Sequence, residues 1–161
     1  MNDPLTQDEK QILLQTARSA IENHAYSYPK EKLTLDSYSS ALTSDGASFV
    51  TLTTIPDGHL RGCIGALEAY QPLILDVQEH AVASAFEDYR FPPIQAGELK
   101  RIGIEISRLT SPNELEYQST EELLAKLRPG LDGVILKDGY QRATFLPQVW
   151  EKIKTKDDFL Q

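Results

Sequence analysis

The chain has 161 residues, of which 40% are hydrophobic and 25% are charged. This composition is typical of a folded globular protein, so we expect a single domain over residues 1–161. Sixteen basic and 24 acidic residues give a net charge of −8, which argues against a nucleic-acid or anionic-membrane surface, because both need clustered Lys and Arg.

Cys63 is the single cysteine of the sequence, which excludes an intramolecular disulfide and any Cys-rich zinc or iron–sulfur motif. The first residues show no basic segment followed by an apolar one, so we expect no secretory signal. No apolar run approaches the roughly 20 residues needed to span a bilayer. We therefore expect a cytoplasmic protein.

The N-terminal region is predicted to be a helix. Thr6 and Glu9 form a capping-box pattern, and apolar residues then recur at three- and four-residue spacing. Pro29 ends the helix, because the residue before a proline leaves helical geometry. The Ser- and Thr-rich segment 30–46 is predicted to be a surface connection with a short helical turn over about 35–42.

A hairpin and a second long helix follow. Residues 49–55 are rich in β-branched residues and alternate, which predicts a strand. The turn Pro56-Asp57-Gly58 returns the chain through a second strand, 59–65. A helix then begins near Pro72, and its buried face is predicted to comprise Leu73, Val77, His80, Ala81, Ser84 and Ala85.

The remaining elements are predicted from periodicity and turn residues. They are a strand at 102–107, a short helix at 120–127 with Ser119 and Glu122 as a second capping box, a hairpin of 131–136 and 140–145, and a final helix from Pro147 through Ile153. Helices and hairpins are mixed without regular βαβ alternation. The predicted fold class is therefore α+β, with a mainly antiparallel sheet flanked by helices.

The second strand of the first hairpin carries the strongest chemical signal. Period two places His59, Arg61 and Cys63 on one face, unless a bulge intervenes. A basic group beside a thiol favours a nucleophilic thiolate, but a lone cysteine also serves as a small hydrophobe beside a structural arginine ion pair. Gly62 and Gly65 indicate a bulge, a bend or the close approach of another backbone.

Spacing alone assigns no base to Cys63. His80 and His59 are the candidates, and a nucleophile needs its base within about 3 Å. The three histidines show no HExxH-type spacing, and no loop is organised for a hard cation. We therefore expect neither a metal site nor a cofactor. Asp88 and Arg90 end the second long helix, where the helix dipole favours a basic residue.

The hexapeptide Leu60-Arg61-Gly62-Cys63-Ile64-Gly65 resembles the signature of the AMMECR domain family, the AmmeMemoRadiSam system protein A group. The resemblance continues in order through Phe49–Leu52, Ala85–Pro93, Glu105–Leu109, Pro129–Gly133 and Ala143–Trp150. It covers nearly the whole chain. Family members carry other polar residues at the position of His80, and they continue beyond Leu160 into a further helix and strand.

The resemblance implies an α+β fold of two unequal lobes, with the hexapeptide lining a cleft between them. It also implies association with a Memo-type protein and a radical-SAM protein through genome pairing or fusion. The resemblance does not assign a settled biochemical activity. Nucleic-acid regulation is sometimes attached to the family, but the acidic balance of this chain argues against it.

Two functions follow from these residues, and whether the chain is an enzyme is left open. In the favoured one, a binding module recognises an anionic group of a small molecule or partner through Arg61. Its binding residues are Leu60, Gly62, Ile64, Gly65, Asp88 and Arg90. In the alternative, Cys63 is the nucleophile of a group-transfer enzyme and Arg61 stabilises the thiolate, with His80 as a weak candidate for the base. Binding is favoured because no base can be assigned.

Overall fold

A computed structural model describes residues 4–151, 153 and 155–159 of the chain. The chain divides into two compact units, Met1–Pro112 and Asn113–Gln161. Helices are combined with antiparallel strands, which confirms the predicted α+β class. The predicted single domain and the predicted cleft between two lobes stay predictions. In the described part of the chain, no helix is both long and apolar enough to cross a membrane.

The first unit combines two long helices with a three-stranded sheet. Its elements are α1 (Gln7–Ala25), α2 (Ser40–Thr43), β1 (Ala47–Thr54), β2 (Leu60–Gly65), α3 (Leu73–Phe86) and β3 (Ile102–Leu109). Short 3-10 turns occupy Leu35–Ser37 and Ala96–Arg101, and the second of these was not predicted. The capping box of α1 is confirmed: Thr6 Oγ1 accepts the Glu9 N–H at 3.2 Å, and the Glu9 carboxylate accepts the Thr6 N–H at 2.8 Å.

The sheet has the strand order β2-β1-β3, and both pairings are antiparallel. One face of β1, which carries Val50 and Leu52, packs into a core that also receives α1 and α3. All six residues predicted for the buried face of α3 are buried. Because side chains alternate along a strand, Thr51 and its cross-strand partner Cys63 lie on the opposite face from that core.

The pairing of β1 with β2 contains a bulge at Arg61. Leu52 pairs with Gly62 and Thr53 pairs with Leu60, so Arg61 has no partner across the ladder. A bulge interrupts the alternation of side chains between the two faces. The period-two inference that placed Arg61 on the same face as Cys63 therefore has no regular ladder to support it at Arg61, and it stays a prediction.

The second unit contains a helix, a hairpin and two short C-terminal turns. These are α4 (Thr120–Lys126), β4 (Val134–Asp138), β5 (Gln141–Phe145), a 3-10 turn at Pro147–Glu151 and α5 (Lys156–Phe159). The hairpin is confirmed. The second capping box is only half formed, because the Ser119 hydroxyl accepts the Glu122 N–H but the Glu122 carboxylate accepts the N–H of Gln118.

The predicted continuous helix from Pro147 through Ile153 is wrong over its described part. The segment forms a 3-10 turn, closed by a bond from the Val149 N–H to the Leu146 carbonyl at 2.9 Å. The Trp150 indole also donates to the Asp132 carbonyl at 2.8 Å. Helical periodicity does not predict a hydrogen bond between residues this far apart in the chain. Residue 152 lies outside the described residues.

Candidate functional site

The site begins with a line of polar residues along α3. Asp76, His80 and Ser84 follow one another at four-residue spacing, and Asp88 comes just after the helix ends. All four are buried. Residues spaced by four lie on one side of a helix, and here that side faces the backbone of β1 and β2. The polar line therefore connects α3 to β2, the strand formed by the hexapeptide and called below the signature strand.

Ser84 forms a bridge between α3 and the sheet. Its hydroxyl donates to the Val50 carbonyl of β1 at 2.7 Å and accepts the Ile64 N–H of β2 at 2.9 Å. Gly62 makes this approach possible, because a Cβ at that position would lie 2.0 Å from the Ser84 carbonyl oxygen. The predicted close approach of another backbone is thus confirmed at Gly62.

Asp88 and Arg90 together hold the backbone of Cys63. The Asp88 carboxylate accepts the Cys63 N–H at 2.9 Å, and Arg90 Nη2 donates to the Cys63 carbonyl at 3.2 Å. The two side chains are also paired, through Nε to Oδ1 at 2.9 Å and Nη2 to Oδ2 at 2.7 Å. Both main-chain polar groups of Cys63 are therefore fixed by one ion pair.

The pairing shifts the ionisation of both partners. Hydrogen bonds from Arg90 hold the pKa of Asp88 well below its usual range, and the Cys63 N–H adds to this effect. Burial acts in the opposite direction, since Asp88 is only 4% exposed. The pKa of Arg90 is raised, first by its hydrogen bonds to the Asp88 carboxylate and then by the charge of that carboxylate.

The Cys63 thiol is half-buried and lies beside a hydroxyl. Its sulfur is 3.2 Å from Oγ1 of Thr51, the residue opposite it on β1. Among the residues that the structure describes, this hydroxyl is the hydrogen-bond partner of the sulfur. Sequence analysis missed Thr51, because cross-strand pairing depends on register.

Arg61 is committed to a different partner. Its Nε and Nη2 donate to the two carboxylate oxygens of Glu98 at 3.0 and 3.2 Å, and its side chain is only 11% exposed. The guanidinium in turn lowers the pKa of Glu98. This is the structural ion pair that the sequence left as the alternative, and it connects β2 to the turn at Ala96–Arg101.

The histidines are not brought into hydrogen-bond contact with the Cys63 sulfur. His80 Nδ1 lies 3.2 Å from Asp76 Oδ2, and that oxygen also accepts the Ser48 hydroxyl at 2.6 Å. His59 is exposed between the two strands. The structure therefore places His80 in a buried polar cluster on the core side of the sheet rather than beside the thiol. Within the described ranges, no group of three or more His, Cys, Asp or Glu side chains is placed to hold a metal ion.

The other predicted binding residues differ in accessibility. Leu60 is exposed and Ile64 is half-buried, whereas Gly62 is buried against α3. A Cβ at Gly65 would lie 2.3 Å from the Ser48 carbonyl oxygen, so this glycine also allows a close backbone contact. The four-residue spacing from Ser84 to Asp88 is the sequence signal that would have joined these two residues to one site.

Comparison with known proteins agrees with the resemblance found in the hexapeptide. The AMMECR1 family matches residues 14–161. Protein MJ0810 of Methanocaldococcus jannaschii is 38% identical over 145 residues, covering 90% of this chain and 71% of that protein. A protein of Methanothermobacter thermautotrophicus is 40% identical over 146 residues, covering 91% of this chain and 74% of that protein.

A solved structure shows the same fold. The crystal structure of uncharacterized protein PH0010 from Pyrococcus horikoshii aligns with this chain at a TM-score of 0.81 and 34% sequence identity. The alignment covers 92% of this chain and 74% of that protein.

Proposed function

Because the chain belongs to the AMMECR1 family, we propose that it is a binding module of the AmmeMemoRadiSam system. The proposed recognition surface, called here the signature surface, comprises Leu60–Gly65 together with Asp88 and Arg90. It recognises an anionic group on a small ligand or a partner protein. A Memo-type protein and a radical-SAM protein are the proposed partners, since the family resemblance implies association with both.

The observation that supports this proposal is the placement of Arg90. Its Nε and Nη2 are held by Asp88 and by the Cys63 carbonyl, yet its side chain remains 45% exposed. The guanidinium carbon also lies 5.6 Å from the centroid of the Phe91 ring, a distance that suits a cation–π contact. A guanidinium fixed in this way loses little further side-chain entropy when it binds a carboxylate or phosphate.

The unused donor of Arg90 is the group that would meet the ligand. Nη1 donates to none of the residues that the structure describes, so its N–H groups are available to an incoming anion. Arg61 is the weaker candidate, because its Nε and Nη2 already bind Glu98. We therefore assign anion recognition to Arg90 rather than to Arg61, the residue for which it was predicted from the sequence.

The test measures binding of the chain to a Memo-type protein and to a radical-SAM protein. Calorimetric titration compares the unchanged chain with Arg90→Gln, Cys63→Ser and the matched control Arg101→Gln, which removes an exposed arginine outside the surface. We expect Arg90→Gln to weaken binding of at least one partner by about tenfold or more. Cys63→Ser and Arg101→Gln should leave the affinity nearly unchanged.

Two controls separate recognition from folding. Arg90→Lys keeps the positive charge without the planar pair of donors, so it should bind with intermediate affinity if the charge itself is recognised. Circular dichroism of each variant verifies that it folds. Unchanged affinity in a folded Arg90→Gln chain would overturn the proposal, and loss confined to Cys63→Ser would instead favour chemistry at the thiol.

A further inference from the structure

A cavity lies in the first unit, apart from the signature surface. Its volume is about 480 Å³, and it opens where β1 begins and β3 ends. Ala47 lines the cavity, whereas Thr51, which faces Cys63, is four residues further along β1. At the usual rise of a strand this is a separation of about 13 Å. We call this cavity the strand-end pocket.

One wall of the strand-end pocket is built from backbone hydrogen bonds. The Gly46 N–H donates to the Gln71 carbonyl at 3.0 Å, and the Leu73 N–H donates to the Ser44 carbonyl at 3.0 Å. A Cβ at Gly46 would lie 2.8 Å from Cβ of Leu73, so the two segments are closely packed. The wall is therefore formed before any ligand arrives, as is usual for small-molecule sites.

The lining of the strand-end pocket combines both signs of charge with hydroxyl groups and an apolar surface. The charged and hydroxyl-bearing residues are Asp45, Arg108, Ser40, Ser44, Thr110 and Ser111. The apolar part of the lining includes Leu67 and Leu109, which are half-buried, and Leu73, which is only 1% exposed. A cavity of this volume lies within the range of about 300–1,000 Å³ that small-molecule sites occupy.

The two charged residues differ in their existing contacts. The Asp45 side chain is exposed and has no hydrogen bond or ion pair with any described residue. Arg108, in contrast, already has partners within the protein. The Arg108 guanidinium contributes a positive charge to the lining of the strand-end pocket.

We propose that the strand-end pocket binds a small zwitterion with an apolar side chain, of the size of an amino acid. The ligand carboxylate faces Arg108 and its ammonium group faces Asp45. Its apolar side chain lies against Leu67 and Leu109. A ligand without the ammonium group would leave the Asp45 carboxylate partly desolvated without a partner, which costs free energy, and a ligand without the carboxylate would gain nothing from the positive charge of Arg108.

The test is an NMR titration of the ¹⁵N-labelled full chain with L-leucine. We expect saturable shifts at the amides of Gly46, Leu67 and Leu109 and none at Cys63, with a dissociation constant on the order of 1 mM. L-Leucinamide lacks the carboxylate and N-acetyl-L-leucine lacks the ammonium group. Each should bind about tenfold more weakly or worse.

Variants assign the two ends of the ligand. Arg108→Gln and Asp45→Asn should each weaken L-leucine binding by about tenfold, whereas Arg101→Gln, outside the pocket, should not. Asp45→Asn serves as the second variant if Arg108→Gln does not fold, because the Asp45 side chain has no partner to lose. Absence of saturable shifts, or equal binding of L-leucine and its two blocked analogues, would overturn the proposal.

Discussion

Replacing Gly62 by alanine tests the contact on which the signature strand depends. The added Cβ would lie 2.0 Å from the Ser84 carbonyl oxygen, whereas even a weak C–H···O contact needs a carbon–oxygen distance of about 3.3 Å. The β2 strand and α3 would therefore have to separate by about 1.3 Å. Such a movement stretches the bond from Ile64 to Ser84 and the bond from Cys63 to Asp88, each of which is 2.9 Å long.

The expected cost follows from those two bonds and from the overpacking. Loss of the bond to the neutral Ser84 hydroxyl costs about 1 kcal/mol, and loss of the bond to the ionised Asp88 carboxylate costs about 2 kcal/mol. Inserting a methyl group into a packed contact costs about 1–3 kcal/mol. Because the helix shift relieves part of this overpacking, we expect a total loss of about 3–5 kcal/mol.

Urea unfolding followed by far-UV circular dichroism measures this loss, and Gly97→Ala is the matched control. A Cβ at Gly97 meets no atom within 4 Å, so the control should change the free energy of unfolding by less than about 1 kcal/mol. If Gly62→Ala is as stable as Gly97→Ala, β2 and α3 do not approach each other as the structure describes, and the position assigned to Cys63 is wrong.

Three further changes test the ion pairs and the buried cluster. The pKa of Asp88 is lowered in the folded state, so its stabilising effect is complete above its unfolded pKa of about 3.9 and is lost as the pH falls further. When the pH is lowered from neutral to acidic, the urea midpoint of unfolding should therefore fall more steeply for the unchanged chain than for Asp88→Asn. A double-mutant cycle of Arg61→Ala and Glu98→Ala should give a coupling energy of about 1 kcal/mol, and additive effects would contradict the bidentate pair. Ser48→Ala removes a donor at 2.6 Å from the fully buried Asp76 carboxylate and should cost about 1–3 kcal/mol in the same unfolding assay.

The local features of this protein could be predicted from its sequence because their partners are near neighbours in the chain. The capping box of α1 forms between Thr6 and Glu9, three residues apart. The turn after β1 places Gly58 at a φ of +69°, as the Pro-Asp-Gly sequence predicts. The buried face of α3 followed from helical periodicity alone, and the hexapeptide identified the family.

Only the tertiary structure decided which side chains surround Cys63. Arg61 is two residues from Cys63, yet a bulge interrupts the alternation and its guanidinium binds Glu98, 37 residues further along the chain. Arg90 and Asp88 reach the backbone of Cys63 from the end of α3 instead. Periodicity fixes the direction of a side chain only while the pairing is regular. The partner of a buried charge depends on how helix and sheet pack, and sequence neighbours do not determine that packing.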